Sequence, residues 1–177
     1  IKKRWSYNLE DNKIVFIIPL YNEENTISEV ILNCKKFGDV FAINDCSTDK
    51  SLELLKKLNI RYINNTENLG YEKSLFSCLE YVYKNFNYEY FISIDGDGQF
   101  DLTTIEQAVK HINKNKLFYS SIRKKKNRFI EKLIDKSFKF LFDVEDPLSG
   151  LKIYSRKVLE MSNNKELQGL LGMNYIL

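Results

Sequence analysis

Two carboxylates separated by one glycine, Asp95-Gly96-Asp97, are followed at once by Gly98 and Gln99. They come after Tyr90-Phe91-Ile92-Ser93-Ile94, an uncharged run of aromatic, β-branched and small residues. Like charges this close repel unless a cation or hydrogen-bond donors lie between them. Carboxylate oxygens are the hard ligands that Mg²⁺ and Mn²⁺ take, often with substrate phosphates completing the shell. The Gln99 amide oxygen is a further ligand of that kind. The same residue types also make an ordinary acidic turn, where Asp and Gly serve backbone geometry alone. Repetition favours a site. Tyr21-Asn22-Glu23 and Asp45-Cys46-Ser47-Thr48-Asp49 also follow apolar runs.

These clusters need elements to hold them. Lys13–Pro19 reads as a buried strand ended by Pro19, which cannot donate to a ladder. Ile27, Val30, Ile31 and Cys34 recur at helical spacing. Val40–Asn44 reads as a second strand. Leu52, Leu54, Leu55 and Leu58 mark a helix that Asp49 is placed to cap. Arg61–Asn64 is a third strand, Asn68-Leu69-Gly70 a loop, and Tyr71–Tyr83 a helix. Tyr90–Ile94 is the central strand. Asp101 is the expected N-cap of a helix through Ile105, Ala108, Val109 and Ile112. Leu117–Ile122 and Leu151–Tyr154 complete the strands, with a short helix near Val158-Leu159. Strand and helix alternate, which predicts an α/β fold around a mostly parallel sheet. Ligands of such sheets bind outside the carboxyl ends of the strands, where the polar clusters fall.

The chain of 177 residues suits one domain, 13–177, behind a polar N-terminal arm at 1–12. Hydrophobic content of 44% and charged content of 29% are ordinary for a globular protein. A net charge of +3 is too small to argue for a nucleic-acid partner. Three cysteines without CxxC spacing point to a reduced, cytoplasmic setting. No apolar run approaches the roughly 18 residues that cross a bilayer. Arg123-Lys124-Lys125-Lys126-Asn127-Arg128 is either a solvated charge run or a patch for anionic headgroups. The stretch from Phe129 to Phe142 mixes phenylalanines with Lys132, Lys136 and Lys139. It suits an interfacial helix at a membrane surface, or a helix packed on the sheet. His111 falls within an amphipathic helix, where a structural role is expected.

Five segments together resemble family 2 glycosyltransferases of the GT-A fold. Ile17-Ile18-Pro19-Leu20-Tyr21-Asn22-Glu23 is similar to the family's opening strand and loop. Ile43-Asn44-Asp45-Cys46-Ser47-Thr48-Asp49 is similar to its Asp-Asp-Gly-Ser-x-Asp signature, with Asn44 for the usual aspartate and Cys46 for the usual glycine. Asn68-Leu69-Gly70 matches its Asn-x-Gly loop, without a second glycine in Tyr71-Glu72-Lys73. Asp95-Gly96-Asp97-Gly98-Gln99 resembles the Asp-x-Asp-x-Gln variant of the polyprenyl-phosphate branch, the one that includes dolichol-phosphate mannose synthases. Asp146 with Ser149-Gly150-Leu151-Lys152 resembles that branch's Asp-x-x-Ser-Gly-Phe-Arg segment, with Lys152 for arginine.

The resemblance implies a Rossmann-like, three-layer α/β/α sandwich, with the C-terminal portion of the family domain lying beyond residue 177. It implies an inverting transfer of a sugar from a UDP- or GDP-sugar, with Mg²⁺ or Mn²⁺ as cofactor. Asp97 and Gln99 are the expected metal ligands. Asp95 is expected at the ribose or the metal's water shell. Asp45 is expected to accept a base imide N–H, and Tyr21 to pack on the base, with Pro19, Asn22, Glu23 and Gly70 shaping that wall. Asp146 and Asp97 are the catalytic candidates. Arg123, Ser149 and Lys152 are the candidates for an acceptor, either a lipid phosphate at the cytoplasmic face of a membrane or a sugar hydroxyl in surface-polysaccharide assembly. Acidic strand ends on a parallel sheet also describe a phospho-accepting receiver, in which the Asp-x-Asp-x-Gln order and the Asp146 turn have no role.

Overall fold

Seven buried residues, Ile14–Leu20, form strand β1 at the centre of a six-stranded sheet. The computed structural model describes residues 13–110, 112, 118–120 and 150–161. The N-terminal arm, His111, the basic run at 123–128, the stretch 129–142, Asp146 and Ser149 lie outside the described residues. In chain order the elements are β1, α1 (Ile27–Cys34), β2 (Asp39–Asn44), α2 (Ser51–Lys57), β3 (Arg61–Asn64) and α3 (Tyr71–Asn85). Then come β4 (Tyr90–Ser93), α4 (Leu102–Lys110), β5 (Phe118–Ser120), β6 (Lys152–Ser155) and α5 (Arg156–Met161).

The strand order is β3-β2-β1-β4-β6-β5. β1 pairs in parallel with β2 and β4, and β2 with β3. β6 runs antiparallel to both β4 and β5. The sheet is therefore mostly parallel and mixed, as the alternation of strand and helix predicts.

Period-two burial sorts the core onto two faces. Ile14, Phe16, Ile18 and Leu20 of β1 join Ile27, Val30, Ile31 and Cys34 of α1, Leu55 of α2 and Ile105 of α4. Val15 and Ile17 face the other way, onto Leu75, Cys78, Leu79 and Val82 of α3 and Leu159 of α5. This is a three-layer α/β/α arrangement. Each fully buried aliphatic side chain contributes about 1.5–3 kcal/mol. Truncating one, such as Ile31, to alanine would cost about 2–5 kcal/mol. Burial pushes the Cys34 thiol up to about 12 and raises that of Cys78 as well, so both serve as packing residues.

Most boundaries differ from the sequence reading by a residue or two, and the one at Pro19 has a physical reason. β1 does not stop at Pro19, which pairs with Ile43, and the strand continues to Leu20. The reason is the direction of the missing donor. Ile17 accepts from Ile94 on the β4 side, and Leu20 accepts from Asp45 on the β2 side. Backbone groups alternate sides along a strand, so Pro19 would donate toward β4. Pairing with β4 ends at Ile17↔Ser93, so no ladder bond is lost.

Candidate functional site

Because β1 to β4 are parallel, their carboxyl ends open onto one edge of the sheet. Tyr21, Asn22 and Glu23 follow β1 there, Asp45 follows β2, Gly70 lies after β3, and Asp95, Asp97 and Gln99 follow β4. β6 runs the opposite way and begins at the same edge, with Lys152 opposite Ser93. The fold thus gathers every described site residue named from the sequence at one edge. Pro19 is buried within β1 rather than presented by the loop.

The first two loops are bolted together. The Asn22 N–H donates to Ser47 Oγ at 2.9 Å, and the Thr48 N–H returns a bond to Asn22 Oδ1 at 2.8 Å. The Glu23 N–H donates to Ser51 Oγ at 2.8 Å. Asp49 accepts the Ser51 N–H with one oxygen and the Glu24 N–H with the other, each at 2.9 Å. The N-cap of α2 is Lys50 rather than the expected Asp49, whose carboxylate instead accepts the first helical N–H from one residue earlier and ties down the β1 loop as well. The Thr26 hydroxyl lies 2.9 Å from Glu23 Oε2 and 2.8 Å from the Gly96 carbonyl, linking this loop to the Asp95–Asp97 turn. Tyr21 stands clear of the network at 47% exposure, with its ring face available.

Asp45 is only 3% exposed. Its Oδ1 accepts from Asn65 Nδ2 at 2.8 Å and from the Leu69 N–H at 2.9 Å, and its Oδ2 accepts from the Gly70 N–H at 2.8 Å. Ser74 adds a hydroxyl. These four donors match the roughly four acceptor positions of a carboxylate. Burial pushes its pKa up, but the donors outweigh that and hold it below the ordinary value. Asp45 thus latches the loop after β3 onto β2, and a base N–H would have to share or displace one of these bonds. Beside it, Asn44 is 1% exposed and donates from Nδ2 to Asn64 Oδ1 at 2.6 Å across the β2–β3 pair. The departure from aspartate there is matched by an amide partner inside the sheet.

Asp95 and Asp97 sit on the turn beyond β4, both part-buried, with Gln99 exposed. The Gln99 N–H donates to Asp97 Oδ1 at 3.0 Å, closing an Asx turn. The donor set fits a hard divalent cation whose remaining ligands come from phosphate and water. Among the described residues no group of three or more His, Cys, Asp or Glu side chains forms a closed, all-protein metal site. Two groups that local sequence reasoning missed address Asp95. Tyr71, the first residue of α3, is 44% exposed overall, yet its hydroxyl feels the Asp95 charge. Burial first, then that charge, raise the hydroxyl well above its ordinary value, so it remains a donor. Gly150, just before β6, lies against the Asp95 carboxylate. An aromatic directly after a left-handed glycine, Gly70 with φ +83°, is the signal available for Tyr71.

Known proteins share this fold. Glucosyl-3-phosphoglycerate synthase from Mycobacterium tuberculosis, solved with UDP, superposes with a TM-score of 0.65 at 19% identity, over 91% of this chain and 64% of that one. The same enzyme solved with Mn²⁺, UDP and glucosyl-3-phosphoglycerate gives 0.65 at 18% identity, over 91% and 64%. At these identities the likeness is one of fold. An uncharacterised protein of Methanocaldococcus jannaschii is 31% identical over 118 residues, covering 63% of this chain and 47% of that protein. The chain thus spans about half the length of that relative. The model for glycosyl transferase family 2 matches residues 15–162. That span takes in every strand that delivers a residue to the site edge, and the chain belongs to glycosyl transferase family 2.

Proposed function

We propose that this chain binds a nucleoside-diphosphate sugar and transfers its sugar, with inversion, in a reaction that depends on Mg²⁺ or Mn²⁺. The observation that carries the reading is the Asp95–Asp97 turn at the end of β4, between the Tyr21 loop of β1 and Lys152 of β6. As the bond from sugar C1 to the diphosphate breaks, negative charge builds on the leaving oxygens. A divalent cation bound there stabilises that charge more in the transition state than in the ground state. Asp97 and Gln99 would hold the cation, and Asp95 would face the ribose or the cation's water shell. Tyr21 would pack on the base, with Asn22, Glu23 and the Gly70 loop forming that wall and Pro19 backing it from within β1. Asp45 would reach the base through the loop that it latches, or directly by exchanging one of its donors. UDP is the first nucleotide to test, since it is the one in the solved structural neighbours, and GDP the second. The chain offers no obvious nucleophile for a double displacement, so an α-linked donor would give a β-linked product.

On the acceptor side, Lys152 stands at the site edge, and Arg123, Ser149 and Asp146 join it in this reading. A lipid phosphate is already anionic and needs cations rather than a base, with Asp146 orienting it. This is the polyprenyl-phosphate reading, with the protein peripheral at the cytoplasmic face through 123–128. No helix among the described residues is long and apolar enough to cross a membrane. A second reading has support from the neighbours, which are solved with phosphoglyceric acid and with glycerol 3-phosphate. For such an acceptor, or a sugar hydroxyl, Asp146 would take the proton.

Calorimetric titration of UDP and GDP, with and without Mn²⁺, tests the donor site. Wild type is expected to bind one of them in a metal-dependent way, and Asp97→Ala to lose at least tenfold in affinity with its fold intact. Equal binding by the two proteins would reject the assignment. Product formation with polyprenyl phosphate, 3-phosphoglycerate or a saccharide then separates the acceptors.

A further inference from the structure

Space explains the glycine at position 150. A Cβ built on Gly150 would fall onto Oδ2 and Cγ of Asp95, far inside the 3.4–4 Å of ordinary contact. The Asp95 carboxylate therefore rests on the bare Cα of the residue that leads into β6. Gly150 is held in place, because its carbonyl accepts a hydrogen bond from the buried Ser93 hydroxyl at 3.1 Å. Two residues further on, Lys152 enters the ladder opposite Ser93.

We infer that Gly150 is a positioning residue for Asp95: its bare Cα fixes the direction in which that carboxylate faces a bound nucleotide. The inference rests on the donor-site reading of Asp95 given above. An aspartate at the end of a strand has rotamer freedom that would leave its carboxylate badly aimed for part of the time. Resting on the residue that leads into β6, it is held ready before the ligand arrives. A side chain at 150 would have to push the carboxylate out of that place.

Four proteins decide the matter: wild type, Gly150→Ala, Asp95→Ala and the double variant, each measured for Mn²⁺-dependent UDP affinity and for denaturation midpoint. Gly150→Ala is expected to lose at least tenfold in affinity and to lower the midpoint. In the Asp95→Ala background the same substitution should change neither, since the clash is with the carboxylate. If Gly150→Ala does not fold, recovery of folding in the double variant supports the positioning role, and continued misfolding overturns it. Asp95→Ala weakened with Gly150→Ala binding normally overturns the inference alone. Asp95→Ala binding like wild type overturns the reading beneath it. Equal midpoint losses with and without the Asp95 side chain remove that role in either case.

Discussion

Cys46 has φ +61°, a left-handed backbone at a residue with a Cβ. The family signature places glycine there, and the backbone shows why. The conformation costs a side-chain-bearing residue about 1–2 kcal/mol. The Sγ···O contact with Thr66 at 3.6 Å is a weak return. Against the relief stands the extra unfolded-state entropy of glycine, about 0.4–1 kcal/mol. Cys46→Gly should therefore raise stability by roughly 0.5–1 kcal/mol, read as a higher urea midpoint at unchanged slope. A lower midpoint would mean that the thiol contact outweighs the strain. At this scale the sequence is legible where chemistry is local. Asp95, Asp97 and Gln99 lie within one turn, and their spacing alone points to them. Tyr71 and Gly150 are invisible because their relation to Asp95 spans 24 and 55 residues and exists only after α3 and β6 have docked. In the sequence Gly150 reads only as part of the Ser149-Gly150-Leu151-Lys152 segment, with no tie to Asp95.

The loop after β3 depends on one buried carboxylate, which gives that element a pH signature. Burial raises the Asp45 pKa, and the bonds from Leu69, Asn65, Ser74 and Gly70 lower it further than that, leaving it depressed in the folded state. A depressed folded value means that the unfolded chain binds the proton more readily. The stabilisation is then complete above the unfolded value, about 3.9, and is lost as pH falls through the lower folded value. Asp49 is depressed as well, through Ser51 and Glu24, and adds to the same acid limb. Asp45→Asn turns one acceptor oxygen into a donor facing backbone N–H groups, at a cost of about 1–3 kcal/mol near neutral pH. Its stability should then decline less than that of wild type between about pH 4 and pH 2. Urea unfolding at a series of pH values checks both parts, and parallel acid limbs would count against the latch. Element types and, to within a residue or two, most boundaries are readable from periodicity: α1 buries all four residues of its predicted stripe, and β3 begins and ends where expected. Pro19 misleads because the rule about proline concerns a donor's direction, which only the register reveals.

Across the whole molecule, β6 closes the fold by inserting antiparallel beside β4, so one short strand serves both edges of the sheet. Its first end brings Gly150 and Lys152 to the site. Its far end, past Ser155↔Tyr90, delivers Arg156 to the opposite edge. There Arg156 Nε donates to the Tyr88 carbonyl at 2.7 Å, and Nη2 donates to the carbonyls of Tyr83, at 3.3 Å, and of Phe86. Its guanidinium also lies over the Tyr83 ring at 4.8 Å and the Phe91 ring at 5.6 Å. Arg156 thus fastens the end of α3 and the turn into β4 to the last described part of the chain. Hydrogen bonds to a charged group contribute about 1.5–3 kcal/mol each and are not additive, so Arg156→Ala should destabilise by about 2–4 kcal/mol. Lysine cannot reproduce the fork or the ring stacking and should recover only part of that loss. Because the staple lies at the amino end of β4 and the carboxylates at its carboxyl end, nucleotide affinity should hardly change. The measurement pairs a denaturation midpoint with Mn²⁺-dependent UDP titration at a temperature where Arg156→Ala is still folded. A lowered midpoint with wild-type affinity places Arg156 in the frame that carries the site. A matching loss of affinity would mean that the two edges of the sheet are coupled through β6.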